Sequence, residues 1–398
     1  MTLAGDVLDL LDPDLYATDP WPVYRRLRDE APVYRDRNGL WCVSRYRDVL
    51  EIEKNPGLYS SARGSRPLLE FPVSMINKDD PIHTQQRKLV SARFTPGHVR
   101  QHEEMVRRAV TELIDAVAPT GEAEVVEQIA APLPAMIICD LIGYDHDLWP
   151  KIKWWSEATM GNAGYLEDDP RRPYDADAAT LSFGEESYRL YEARRAEPRD
   201  DLMSIWAHAT LDGEPMTVEE VLNDTILLVD GGAETTRSTI GQIVLALCQH
   251  PDERAKLIAQ TDLLRTTAVE EFIRWASPIL NMRRSVTTDH ELLGEHLAAG
   301  DQMLLMYASA NRDERVFESP DVFDVTRKHN HHVAFGFGTH FCLGANLARL
   351  ELRVLFEELL RRLPDFRLAP GFEPEFVPGF FTRTLKELRI EFTPSRTR

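Results

Sequence analysis

The chain has 398 residues, 43% of them hydrophobic and 28% charged, with 65 acidic against 46 basic side chains and a formal net charge of −19. That composition excludes a disordered or low-complexity polymer, and the acidic excess argues against a nucleic-acid partner, whose phosphates require a basic surface. No run approaches the ~18 consecutive apolar residues of a membrane span, and Met1-Thr2-Leu3-Ala4-Gly5-Asp6 lacks the basic start and apolar stretch of a secretory signal, so a cytoplasmic chain without a membrane anchor is expected.

Hydrophobic periodicity predicts helices near 20–30, 83–117, 143–160, 175–197, 217–250, 252–260, 263–276 and 344–363. Strand-like stretches are short: 32–35, 40–44, 302–306 and 388–392. There is no fixed-period repeat, and no Gly/Ser or Pro linker divides the sequence. Strand segments near both ends and around 280–306 must meet in small sheets, which predicts one interwoven, mainly α domain over residues 1–398. The unpatterned stretches 60–82 and 160–175 read as long loops, and loops of that length are often functional.

In chain order, the first candidate pair is His83 and Arg87, which share a helix face at i and i+4 and can together grip an anionic group. Thr217-Val218-Glu219-Glu220 then caps a helix of ~33 residues, about 50 Å long. Its stretches 226–229 and 243–247 are apolar on several faces, as in the centre of a large core. Its middle reads Asp230-Gly231-Gly232-Ala233-Glu234-Thr235-Thr236. Two glycines, each weakening a helix by roughly 1 kcal/mol, stand there beside carboxylates. A sequence that breaks its own pattern in mid-core is expected to do so for function. Glu271 and Arg274 form a common i,i+3 ion-pair pattern. Arg283 and Arg284, adjacent on an extended segment, point to opposite sides.

Four cysteines are widely spread and do not read as a disulfide framework. Cys42, Cys139 and Cys248 sit among apolar neighbours and read as buried small hydrophobes. Cys342 differs. It lies in Phe335-Gly336-Phe337-Gly338-Thr339-His340-Phe341-Cys342-Leu343-Gly344, just ahead of a helix N-terminus, where unpaired N–H groups and the dipole favour a thiolate. Two glycines permit an unusual backbone path, and Phe335 and Leu343 give the apolar cover that suits a metal ligand shielded from water. A zinc site is one rival, since His329, His331, His332 and His340 crowd nearby. No second cysteine accompanies them, and their spacing fits no tetrahedral pattern well. A phosphate loop is another rival, but no Gly-x-x-x-x-Gly-Lys or Gly-x-Gly-x-x-Gly pattern is present there.

The run Phe-Gly-x-Gly-x-His-x-Cys-x-Gly resembles the haem-binding loop of the cytochrome P450 family, and further motifs in the family's order extend the resemblance over essentially the whole chain. It implies the cytochrome P450 fold, mainly α with small β-sheets and a long central helix crossing the haem. The implied cofactor is haem b, with Cys342 as axial iron ligand, a thiolate that pushes electron density toward O–O cleavage, and with Phe335, Gly336 and Gly344 shaping the loop. His83, Arg87 and His340 are placed by the resemblance at the haem propionates, together with Arg284 or its neighbour Arg283; the five-residue offset to Asp289 favours Arg284. Glu271 and Arg274 match the family's Glu-x-x-Arg helix, whose charge network with a downstream arginine, here Arg327, holds the cysteine loop. The segment 231–236 resembles the oxygen-activation segment, with Thr235 stabilising dioxygen and Glu234 supplying protons through ordered water. That acid–alcohol pair favours reduction-driven monooxygenation over peroxygenase chemistry.

Asp230 departs from the family, in which this position is usually apolar; it either meets a substrate hydroxyl or amine or points away into a salt bridge. The rest of the pocket is expected from Leu69, Val73, Gly231, Ile279, Leu280, Phe380 and Phe381, mostly apolar and suited to a hydrophobic substrate. Arg35-Asp36-Arg37-Asn38-Gly39-Leu40 and the stretch 274–282 are similar to actinobacterial sterol and long-chain lipid hydroxylases. Hydroxylation of a steroid side chain or branched lipid is therefore expected. Natural-product tailoring of a polyketide, macrolide or terpene is the rival reading, to which Asp230 gives weight. A non-catalytic haem-thiolate sensor is another, and it leaves Glu234 and Thr235 without a role. With no flavin or ferredoxin module in the sequence, electrons are expected from a separate ferredoxin and ferredoxin reductase, docking on a basic patch of Lys88, Arg93, Arg349 and Arg353. A monomer is expected.

Overall fold

The computed structural model describes residues 7–67, 74–167 and 169–395; Leu69 and Val73, expected in the pocket, lie outside the described residues. Its principal helices are α1 (Trp21–Glu30), α2 (Tyr46–Glu53), α3 (Ile82–Ser91), α4 (Glu103–Val117), α5 (Pro132–Ile142), α6 (Trp149–Ser156), α7 (Ala176–Ala196), α8 (Val218–Gln249), α9 (Pro251–Ala259), α10 (Ala268–Ala276) and α11 (Ala345–Arg362). The periodic run 83–117 is divided between α3 and α4, because Pro96 holds Thr95 extended at φ −66°, ψ 152°. Helix α5 has no counterpart among the expected elements. Nine of its eleven residues are buried, so no amphipathic period marks it.

Strands β1 (Val33–Arg35), β2 (Trp41–Val43), β3 (Tyr59–Ser60), β4 (Glu122–Glu124), β5 (Met282–Val286), β6 (Gln302–Leu305), β7 (Arg367–Leu368) and β8 (Arg389–Glu391) build two sheets. The larger runs β1-β2-β6-β5-β3, with β2 and β6 parallel; the smaller runs β7-β8-β4. Segments hundreds of residues apart thus meet, as the distribution of strand-like stretches implied. One hydrophobic cluster surrounds α5, α8 and α11, and a second lies under the larger sheet.

Helix α8 carries the site. Its capping box is complete: the Thr217 side chain accepts from Glu220 N (3.2 Å), and the Thr217 N–H donates to Glu220 Oε2 (3.0 Å), an arrangement worth about 1 kcal/mol. It runs unbroken through both glycines. These two serve different purposes. A Cβ at Gly232 would lie 2.3 Å from Ile138 Cγ1 of α5, so glycine permits the close helix crossing, whereas at Gly231 a Cβ would meet nothing within 4 Å.

Candidate active site

The cysteine loop is folded by its own backbone. The Cys342 N–H donates to Phe335 O (2.8 Å), Gly336 N to Val333 O (2.9 Å) and Phe341 N to Gly338 O (3.1 Å). Gly336 and Gly338 adopt φ of 66° and 70°, which side chains disfavour, and a Cβ on Gly338 would lie 2.7 Å from Glu53 O. Burial pushes the Cys342 thiol up; the N–H groups of Gly344 and Ala345 at the start of α11, together with Arg87 and Arg349, pull the other way. The sulfur therefore occupies the capping position of α11, where Gly344 has no side chain to offer.

Beside the cysteine, four basic side chains converge on one cavity: His83 and Arg87 of α3, Arg284 of β5, and His340. The rings of His83 and His340 lie 4.0 Å apart. Burial, with Arg284, His83 and Arg87 nearby, pushes His340 down to about 2. Arg284 meets Glu53 at 3.1 Å, and the Tyr307 hydroxyl donates to the same carboxylate. Arg283 points to the other side of the strand, donating to Ser285 Oγ (3.1 Å), and does not line the cavity. His83 Nδ1 makes no hydrogen bond. Of the histidines behind the zinc alternative, His332 faces Glu270 at 3.2 Å and His331 is exposed.

The cavity, of about 770 Å3, is bounded by this cluster, by Cys342 and by one face of α8 that includes Gly231 and Thr235. Thr235 Oγ1 donates to Gly231 O (2.9 Å). Glu234 does not line the cavity. It is buried against Arg237 (3.1 Å) and accepts from Thr384 Oγ1 (3.2 Å), and burial raises its pKa against the pull of Arg237. Arg237 also meets Glu157 (2.8 Å), which meets Lys153 (3.0 Å), which meets the exposed Glu127 (2.9 Å). A file of alternating charges thus runs from Glu234 to the surface.

Asp230 forms the salt bridge of its second reading without leaving the cavity wall. It lines the cavity, and it is paired with Arg66 (3.2 Å) while accepting from the Thr159 hydroxyl. Ile279 and Phe381 also stand on the wall. Leu280 and Phe380, expected there, do not: both are buried in the second hydrophobic cluster, because neighbours on an extended backbone face opposite sides. Sequence reasoning also missed Glu53, Tyr307 and Arg66, which no local pattern marks.

Behind the loop, Glu271 and Arg274 of α10 are fully buried and doubly bonded (both 2.8 Å), and Arg327 reaches Glu271 at 3.0 Å. The expected basic patch is not a set of free cations. Arg349 pairs with Glu270 (2.7 Å), Arg353 with Glu103 (2.7 Å) and Arg93 with Asp200, leaving a groove of mixed charge beside α11.

A family model described as Cytochrome P450 matches residues 177–378. A steroid C26-monooxygenase of Mycolicibacterium smegmatis is 42% identical over 376 residues, covering 94% of this chain and 92% of its own. The chain belongs to the cytochrome P450 family. A methyl-branched lipid omega-hydroxylase of Mycobacterium tuberculosis is 40% identical over 94% of the chain and 87% of its own length. Among solved structures, a Mycobacterium marinum cytochrome P450 in complex with pseudoionone superposes with a TM-score of 0.89 at 32% identity, covering 98% of this chain and 100% of that one. The protein is accordingly a P450 monooxygenase with the P450 fold.

The haem-thiolate group of the family fits the residues present. Cys342 offers sulfur to the cavity, four basic groups suit propionates, and Gly231 and Gly344 leave open space where a Cβ would stand. One further P450 residue on this wall is Glu351 of α11. Its Oε2 has no partner, and burial alone raises it to about 8. The folded chain therefore keeps a proton that the unfolded chain releases above its ordinary pKa of 4.5. Stability falls as pH rises between these values, by up to about 1.4 kcal/mol per unit. Glu351→Gln removes that slope, so its advantage over the native chain should grow from about pH 5 to about pH 8 in thermal unfolding of the holoprotein. Parallel pH profiles would contradict this.

Proposed function

We propose that this P450 hydroxylates a steroid side chain or a branched lipid, inserting one oxygen atom from O2. The observation that carries the reaction is that Cys342 and Thr235, on separate elements, line one largely apolar cavity. Similarity to the steroid C26-monooxygenases and methyl-branched lipid omega-hydroxylases supports the substrate class. We read the cofactor as haem b, whose two propionates suit His83, Arg87, Arg284 and His340, and the chain as a single-domain cytoplasmic monomer. When bound, the haem supplies O2 activation by the thiolate-ligated iron. The chain's own residues position and protonate. The Thr235 hydroxyl faces the cavity and can donate there once released from Gly231 O, and Glu234, whose protonated form burial favours, can supply a proton toward it through ordered water, while the permanently charged Arg237 holds the Glu234 carboxyl in place. Electrons are read as coming from a separate ferredoxin and its reductase, with the groove beside α11 as the docking face. Its paired arginines predict selectivity from shape as well as charge.

Turnover of cholest-4-en-3-one and a methyl-branched fatty acid with NADH, ferredoxin and reductase should yield terminally hydroxylated products, identified by mass and NMR. Thr235→Val should lower product formation on the order of 100-fold while substrate affinity stays unchanged. Undiminished product would remove Thr235 from the chemistry. A second reading, tailoring of a compact oxygenated natural product, is favoured by one observation: the Arg66–Asp230 pair on the cavity wall.

A further inference from the structure

The Arg66–Asp230 pair is costly where it stands. Asp230 is buried on α8, and burial raises it to about 6 despite Arg66 and Thr159. A charge pair in an apolar wall is retained at the expense of stability, and neither partner belongs to the file of charges behind Glu234.

The details fix what the pair presents. Both Asp230 oxygens are engaged, Oδ1 by the Thr159 hydroxyl and Oδ2 by Arg66 Nη2 at 3.2 Å. Arg66 Nη2 also contacts Met160 Sδ at 3.2 Å, and its guanidinium lies 5.3 Å from the centre of the Phe381 ring. Arg66, Asp230, Thr159, Met160 and Phe381 all line the cavity, and the Arg66 side chain keeps 28% of its surface exposed. Asp230 and Phe381 thus hold a planar cation in place, and guanidinium nitrogens only donate. With Asp230 ionised the pair is neutral overall. A neutral acceptor oxygen is then matched, whereas a carboxylate would meet the Asp230 charge. Asp230 and Thr235, five residues apart on α8, line the same cavity as Arg66.

We infer that Arg66, held by Asp230, Thr159 and Phe381, is a specificity site that binds a neutral hydroxyl or carbonyl oxygen carried on an apolar substrate. The inference rests on the hydroxylase reading and narrows its substrate class to apolar skeletons that carry a neutral oxygen.

The test is calorimetric titration of the resting holoenzyme, without reductant, using three probes of one C10 skeleton: linalool, its deoxygenated analogue 3,7-dimethylocta-1,6-diene, and 3,7-dimethyloct-6-enoic acid. A hydrogen bond to a charged donor predicts that linalool binds about tenfold or more tighter than the hydrocarbon. Arg66→Gln, which keeps only an uncharged amide donor, should weaken that preference several-fold, with an unchanged circular-dichroism spectrum reporting an intact fold. Asp230→Asn leaves Arg66 as an uncompensated cation and should raise affinity for the acid by about tenfold or more. This variant decides the matter should Arg66→Gln not fold. Linalool binding no tighter than the hydrocarbon, an undiminished preference in Arg66→Gln, or unchanged acid binding in Asp230→Asn would each overturn the inference. Because no turnover is measured, such a failure leaves the hydroxylase reading standing; that reading fails separately, on absent product.

Discussion

Glu271→Ala is expected to yield protein largely without haem, with thermal unfolding lowered by several degrees. Glu271 gathers four donors: Arg274, Arg327 Nε (3.0 Å), Asn330 Nδ2 (3.1 Å) and the Asp324 N–H (3.0 Å). Arg274 carries the network onward, donating to Asn311 O and Pro320 O (both 2.9 Å), and Asn311 Oδ1 in turn accepts from Val333 N (2.7 Å). Val333 O receives Gly336 N at the mouth of the cysteine loop. One buried carboxylate therefore anchors the backbone that presents Cys342. Removing it strands Arg274, which is fully buried, at a cost of about 3–5 kcal/mol. Arg274→Ala should also lower haem content, because it removes the donor that links Glu271 to Asn311 O and Pro320 O, although Glu271 keeps Arg327, Asn330 and the Asp324 N–H. Glu271→Gln keeps the shape and loses the charge, so it should fall between. The ratio of haem to protein after purification, with the unfolding midpoint, checks all three, and full haem content in Glu271→Ala would contradict the account.

The network was legible only through the family resemblance, since Glu271 and Arg274 one turn apart on α10 make a common ion-pair pattern by themselves, whereas the cysteine loop stood out because its glycines and aromatics are contiguous. Other parts were hidden for physical reasons. Glu234 and Thr235 are adjacent, so on a helix they point about 100° apart. Thr235 therefore reaches the cavity, while Glu234 turns to Arg237. Leu280 and Phe380 were misplaced by the same logic on extended backbone. The Glu53, Arg284 and Tyr307 cluster joins α2, β5 and the turn after β6, segments brought together only by the sheet order. Asp230 was visible as an anomaly in an apolar helix, but Arg66, which gives it a purpose, lies 164 residues earlier. Helix α5 escaped notice because burial on all sides erases periodicity.

Cys342→Ala should abolish hydroxylation while the protein remains folded. The Cys342 N–H to Phe335 O bond does not depend on the side chain, and the open N–H groups of Gly344 and Ala345 cost at most about 1–3 kcal/mol if left without a partner. Activity should fall to the uncatalysed background, because no other thiol lines the cavity among the described residues: Cys42 and Cys139 are buried elsewhere, and Cys248 lies near the C-terminal end of α8. Substrate affinity measured by calorimetry should change little, which separates a lost ligand from a lost pocket.

The central claim, that the Cys342 sulfur is the axial ligand of a haem, is tested most directly by the absorption spectrum of the dithionite-reduced carbon monoxide complex. The native protein should show the red-shifted Soret band of a thiolate-ligated haem, and Cys342→His should show the blue-shifted band typical of imidazole ligation at unchanged haem content. A native spectrum of the imidazole type, or a Cys342→His spectrum that keeps the thiolate band, would contradict the assignment.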